Sequence, residues 1–181
     1  TLAAMLTVTN LGLLLGQGVF VKYAVDALGV GPDAFAILIG MTAVGAATGG
    51  LLGHRIVDAL GLRQAVVLPY LVFGAGNVVL GASGAAWLTA IANFVLGAAI
   101  AVWNVVTITL RQRLVPPDLF GRVNGAFRWL GAAAGAVSVA LGGVVAHATT
   151  VRMPFFVGGA LTLVTAALFA RPAMAGLDER L

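Results

Sequence analysis

Asn10, Gln17, Asn93, Asn104 and Thr107 interrupt long apolar stretches, and their side chains suit reversible binding rather than bond breaking. Asn10 and Gln17 are seven residues apart and share one stripe of a helix. At helical spacing Asn93, Asn104, Thr107 and Arg111 fall close to one line, which Gly97 and Ile100 complete. A helix built this way has one wet or protein-facing side. Amides and hydroxyls on such a face serve two ends: they line a cavity, or they bond a neighbouring helix at about 0.6 kcal/mol each. For Asn10, Gln17 and Asn104 both uses stay open. Trp103 lies beside the stripe and reads first as packing, second as a surface on which a flat substrate stacks.

Other chemistries lack their residues. Asp26, Asp33, Asp58, Asp118, Asp178 and Glu179 all fall at helix ends or in loops, so no carboxylate sits at mid-depth to carry a proton. His54 and His147 are also near ends and too distant to form a metal site. Cysteine is absent, which removes a thiolate nucleophile and cysteine-ligated zinc. No phosphate loop, nucleophile elbow or carboxylate pair is present. The expectation is therefore no enzyme, no cofactor and no metal. Lys22 and Asp26, four apart, suit a modest surface pair.

The elements that must position these residues are membrane helices. Hydrophobic residues are 61% of the chain and charged residues only 9%, where a soluble domain carries about 25% charge. Mean hydropathy is +1.07. A bilayer core needs roughly 20 apolar residues as a helix. The charge-free stretches are 1–21, 34–54, 64–110, 129–151 and 153–170. The long one breaks at Gly81-Ala82-Ser83-Gly84, a small-residue turn signal. Six spans result, at about 3–26, 34–57, 64–82, 86–111, 123–147 and 152–170, forming one bundle over 1–181. The runs are too long, and alternate too little, for barrel strands.

Charge tests this count. Six crossings put Arg55, Arg63, Arg111, Arg113, Arg122, Arg128, Arg171 and Arg180 on one side and only Lys22 and Arg152 on the other. The positive-inside rule then puts both termini in the cytoplasm. The high pI, near 10.7, needs no nucleic-acid partner, because the basic residues are dealt singly between apolar stretches. Three spans plus three, an odd number each, would make the second triplet run inverted. Glycine repeats on single faces at Gly45, Gly49 and Gly53 and at Gly131, Gly135, Ser138 and Gly142, as it does at Gly12 and Gly16. Such faces let backbones approach closely, for static packing or for helices that rock.

Two loops carry the most specific pattern. The first is Gly53-His-Arg-Ile-Val-Asp58-Ala-Leu-Gly61-Leu-Arg63, and the second runs from Arg111-Gln-Arg113 through Pro116-Pro117-Asp118 to Gly121-Arg122-Val-Asn. The prolines are expected to stop the fourth helix, Gly121 to allow a turn before the fifth, and Asp118 and Arg122 to pair across that turn or with the other loop. On Gly53, Asp58, Gly61 and Arg63 the chain resembles the major facilitator superfamily. The stretch from Trp103-Asn104 through Arg111, Arg113, Leu119 and Gly121-Arg122-Val123 is similar to its drug:proton antiporter branch, which includes macrolide and siderophore exporters. The resemblance covers nearly the whole chain and implies helices seven to twelve of such a transporter. It implies that the first, second, fourth and fifth spans line a cavity while the third and sixth pack outside, a scheme that Asn77 on the third fits poorly. It also implies that the proton-coupling carboxylates lie in the other half.

The combined expectation is an all-α polytopic bundle of two inverted three-helix repeats, half of a plasma-membrane efflux permease for amphipathic small molecules. Its partners would be lipid, the substrate, and an amino-terminal six-helix half or a second copy. Asn10, Gln17, Asn93, Trp103, Asn104 and Thr107 would face the cavity. Gly53, Asp58, Gly61, Arg63, Arg111, Arg113, Asp118 and Arg122 would form the cytoplasmic gate, and Gly45, Gly49, Gly131, Gly135 and Gly142 would pack helices. The start at Thr1, inside an apolar stretch, suits a fragment, so a non-transporting subunit or truncated remnant is the rival reading. A membrane enzyme is the weaker third.

Overall fold

Proline and glycine place the breaks in this chain. The computed structural model describes the backbone of residues 2–178 and the side chains of 7–61, 64–112 and 115–168. α1 (Leu2–Leu15) and α2 (Phe20–Leu28) are joined by a 3-10 turn at Gln17–Val19. α3 (Pro32–Ala82), α4 (Ala86–Leu114), α5 (Pro117–Ala148) and α6 (Met153–Asp178) follow, with no strand among the described residues. Gly29 ends α2 with φ 64, donating its N–H to the Val25 carbonyl while Val30 N–H reaches Ala24. Pro32 and Pro117 begin α3 and α5, where a missing N–H costs nothing, and Asp33 and Asp118 sit in the same first turns, at the positive helix end.

α3 is two spans joined at one residue. Gly61 alone leaves the helical region, at φ 76 and ψ 156, a conformation open essentially only to glycine. Gly45 and Gly49 lie against Phe94 and Ala98, so Pro32–Gly61 runs parallel to α4. Gly76 lies against Leu96 while Val66 shares a core with Val102 and Val106, so Gln64–Ala82 runs antiparallel to α4. The chain therefore reverses at Gly61.

The same reading fixes the rest. Leu14 meets Gly135 and Leu15 meets Gly142, so α1 and α5 are parallel. Gly12 meets Gly158 and Gly16 meets Phe155, so α6 is antiparallel to α1. Gly74 meets Gly159 and Gly81 meets Phe156, so α6 is antiparallel to the second half of α3. Direction alternates at every connection, and both ends of the bundle lie at one end. Exchanging the first three spans for the last three maps these neighbour pairs onto one another, as two inverted repeats require.

Five spans are long and apolar enough to cross a membrane: Thr7–Leu28, Pro32–Gly61, Gln64–Ala82, Ala86–Gln112 and Pro117–Ala148. The sixth, Met153–Leu168, is apolar but shorter over the described side chains. Several expected boundaries are corrected. The first span, expected over 3–26, runs on to Leu28 and carries a 3-10 turn at Gln17–Val19 after Gly16. The expected 55–63 loop is helical except at Gly61. The fifth helix starts at Pro117 rather than 123, because proline at the first helical position restarts the helix at once. Gly121, expected in a turn, lies inside α5.

The ends away from Gly61 are tied by a polar pin. Tyr23, fully buried at the end of the first span, donates its hydroxyl to the Leu80 carbonyl at 2.6 Å. Arg152 donates to the Gly81 and Ser83 carbonyls at 3.1 and 2.7 Å, with its guanidinium 6.0 Å from the Tyr23 ring centre. Phe20, Tyr23 and Phe155 pack below it, the last two with ring centres 4.8 Å apart.

Candidate functional site

The polar stripes of α1 and α4 face each other along a row of three hollows that share lining residues, the first of them closed by α5. The first, about 320 Å³, lies toward the Gly61 end and is lined by Asn10, Tyr70, Trp103, Asn104, Thr107, Arg111, Asn124, Phe127, Arg128 and Gly131, among others. The middle one, about 270 Å³, shares Asn10, Trp103 and Asn104 with it and adds Thr9 and Phe73. The third, about 370 Å³, shares Leu13, Leu14 and Ile100 with the middle one and reaches Gln17, Phe35 and Asn93. Shared walls make one groove along the bundle.

The groove exists because glycine brings some helices close and leaves others apart. On α5, a Cβ at Gly142 would strike the Leu15 backbone and one at Gly135 would meet Leu14 Cδ1 at 2.8 Å. The expected packing face loosens at Gly131, where a Cβ would meet only Asn10 Nδ2, at 3.9 Å, among the described residues. There α1 and α5 diverge and the first hollow opens. Ser138 donates to the Leu11 carbonyl at the tight part of the seam. Gly45 and Gly49 perform the tight role against α4, whereas a Cβ at Gly53 would meet Val105 at an ordinary 3.6 Å.

The expected cavity residues separate by role. Asn10, Trp103, Asn104 and Thr107 come together in the first hollow, while Gln17 and Asn93 line the third. Asn93 is 2% exposed and donates to the Leu38 carbonyl at 2.9 Å, a bond between α4 and the first half of α3. Thr107 donates back along its own helix to the Trp103 carbonyl at 2.8 Å. Trp103 stands edge-on to Tyr70 at 90°. Among the described residues its indole N–H meets no acceptor at hydrogen-bond geometry, and neither does the buried Thr9 hydroxyl find a partner. Both residues line the middle hollow. Asn77 is neither cavity nor surface: it is 1% exposed and bonds the Phe73 carbonyl one turn back at 2.9 Å.

The residues expected at the gate fall in different surroundings. Arg111 faces the first hollow rather than a loop. Its Nε donates to the Thr107 carbonyl at 3.1 Å and its Nη1 to Asn124 Oδ1 at 2.9 Å. The guanidinium stands 5.0 Å from the centre of the Phe127 ring. Asp58, Asp118 and Arg122 are exposed, and the expected Asp118–Arg122 pair is not formed. Lys22–Asp26, at 2.6 Å, is the one ion pair among the described residues; at exposed positions water screens such pairs to little net value. His54 shares a groove with Asp58 and Thr109. The side chains of Arg63 and Arg113 lie outside those described.

Asn124, Phe127, Arg128, Tyr70 and Thr9 were missed as lining residues. Asn124, Phe127, Arg128 and Gly131 recur at helical spacing on one face of α5 and lie inside the expected 123–147 span, a signal passed over by reading Arg128 only as a flanking cation. Tyr70 and Phe73 come from the third span, which the expected scheme placed outside. No curated protein matches the chain significantly. The family model for the Major Facilitator Superfamily matches residues 1–179.

Proposed function

Because the chain belongs to the Major Facilitator Superfamily, a family of transporters, we propose that it is one half of an efflux permease for amphipathic small molecules, of the drug:proton antiporter kind. The half works by alternating access in the plasma membrane, with both termini cytoplasmic, against an amino-terminal six-helix half or a second copy. The groove is its share of the substrate path. The observation that carries this reading is the gathering of Asn10, Asn104, Thr107 and Arg111 on one aromatic-walled hollow of an otherwise apolar bundle. Polar groups are expensive at membrane depth and mark substrate pathways there. Apolar walls with a few placed polar groups match an amphiphile.

The natural absence of cysteine provides the test. In the assembled transporter, Asn104→Cys should react with a water-soluble thiol reagent and be protected by substrate. Val164→Cys, on an exposed face of α6, should react slowly and without protection. An inert Asn104→Cys beside a reactive Val164→Cys would remove the cavity from the path.

A further inference from the structure

We propose that the first hollow holds an anionic headgroup, with Arg111 as its principal ligand, so that the substrate class is an acidic amphiphile rather than a cationic one. The inference rests on the groove being a binding cavity, as read above, and adds the charge of what it takes.

Direction is the first argument. An arginine that only anchors a helix end extends toward the interface, where water solvates it. Arg111 does the opposite. It lies in the last turn of α4, yet it folds back to bond the Thr107 carbonyl, one turn deeper. Asn124 and the Phe127 ring hold it there from α5. These two hydrogen bonds use only part of a guanidinium's set of N–H donors, and the remainder belong to a group that lines the hollow.

Charge balance is the second. Arg128 lines the same hollow, and among the described residues no Asp or Glu lines any of the three. Neither arginine has a carboxylate partner among the described residues. Arg111 is half-buried and Arg128 exposed at its rim; two cations on one hollow repel each other, and a bound anion relieves this. Planar guanidinium suits carboxylate or phosphate in two-pronged contact. Trp103 stands about 12 Å from Arg111 along the α4 axis at 1.5 Å per residue. That distance leaves room for an apolar tail against Trp103 and Tyr70.

The test uses the full chain in phosphatidylcholine nanodiscs. Trp87→Phe and Trp129→Phe leave Trp103 as the sole indole of the three present. Dodecanoate and dodecyltrimethylammonium are titrated against its fluorescence. Dodecanoate should saturate at a concentration about tenfold lower, the effect of one close charge pair. Arg111→Gln should abolish that preference and Arg111→Lys should keep part of it. Where Arg111→Gln fails to fold, Arg128→Gln, which leaves the Arg111–Asn124 bond in place, should weaken the preference. Equal titration, tighter binding of the cation, or a preference that survives Arg111→Gln overturns the proposal. Added phosphatidylglycerol separates two sources of the same chemistry. Competition that depends on Arg111 assigns the site to a lipid headgroup, and its absence assigns it to the free amphiphile; either upholds an anion site. Binding is read without turnover, so a failed efflux reading leaves this result standing. Efflux without anion preference sinks only this inference.

Discussion

Two asparagines on one stripe of α4 separate what a residue type can and cannot say. Asn93 is buried and spends its amide on the Leu38 carbonyl, whereas Asn104 is exposed to the groove. Asn93→Ala should lower thermal stability in detergent by about 0.6 kcal/mol, the average for an interhelical bond in a membrane, with substrate binding little changed. Asn104→Ala should leave the melting temperature within error and weaken substrate protection of a cavity cysteine. The reverse pattern would reassign both residues. Helical periodicity placed them correctly on one line. It could not assign them, because glue and lining use the same amides and differ only in what the adjacent helix offers. Arg111 shows the same limit. Its position in sequence marks a helix end, while its direction depends on Thr107, Asn124 and Phe127.

Helices here are set by backbone rules that sequence expresses well and by close approaches that it expresses only in part. The turn at Gly81–Gly84 and the proline stop after α4 were legible, since small residues and Pro116-Pro117 permit little else. The reversal between the second and third spans was legible as a 55–63 loop that includes Gly61, but not that Gly61 alone makes it, because its sequence gives no sign of φ 76. Gly61→Ala should cost about 1–3 kcal/mol, the strain of a glycine-only conformation. A Cβ there meets nothing within 4 Å among the described residues, so the backbone is what is tested. The reference is Gly50→Ala, equally uncrowded but helical, which should be neutral or stabilising by up to about 1 kcal/mol. Equal melting temperatures would mean the reversal does not need glycine. Crowding is a separate mechanism with its own contrast. Gly97→Ala drives a Cβ into the Thr42 backbone, while Gly40→Ala meets nothing. The first should lower stability by about 1–3 kcal/mol, the usual cost of overpacking, and the second should not.

For the molecule as a whole, charge and neighbour geometry reach the same topology by independent routes. Eight arginines against two basic residues across six crossings implied an even number of spans. The alternating directions of the glycine contacts give that even number without reference to charge. The pin of Tyr23, Arg152 and the 80–83 carbonyls was not legible, because its acceptors are backbone groups with no residue signature. It ties the connections at the end opposite Gly61, so that end should face outward if arginine holds the other in the cytosol. Single cysteines at Gly84, in the turn after α3, and at Gly121, near the start of α5, read this directly; nothing crowds a side chain at either site. A membrane-impermeant maleimide added to intact cells should label Gly84→Cys and spare Gly121→Cys until the membrane is opened. Labelling of Gly121→Cys in intact cells, with Gly84→Cys protected, would turn the bundle over. Arg111 would then face the outside, and the groove would load from the opposite side of the membrane.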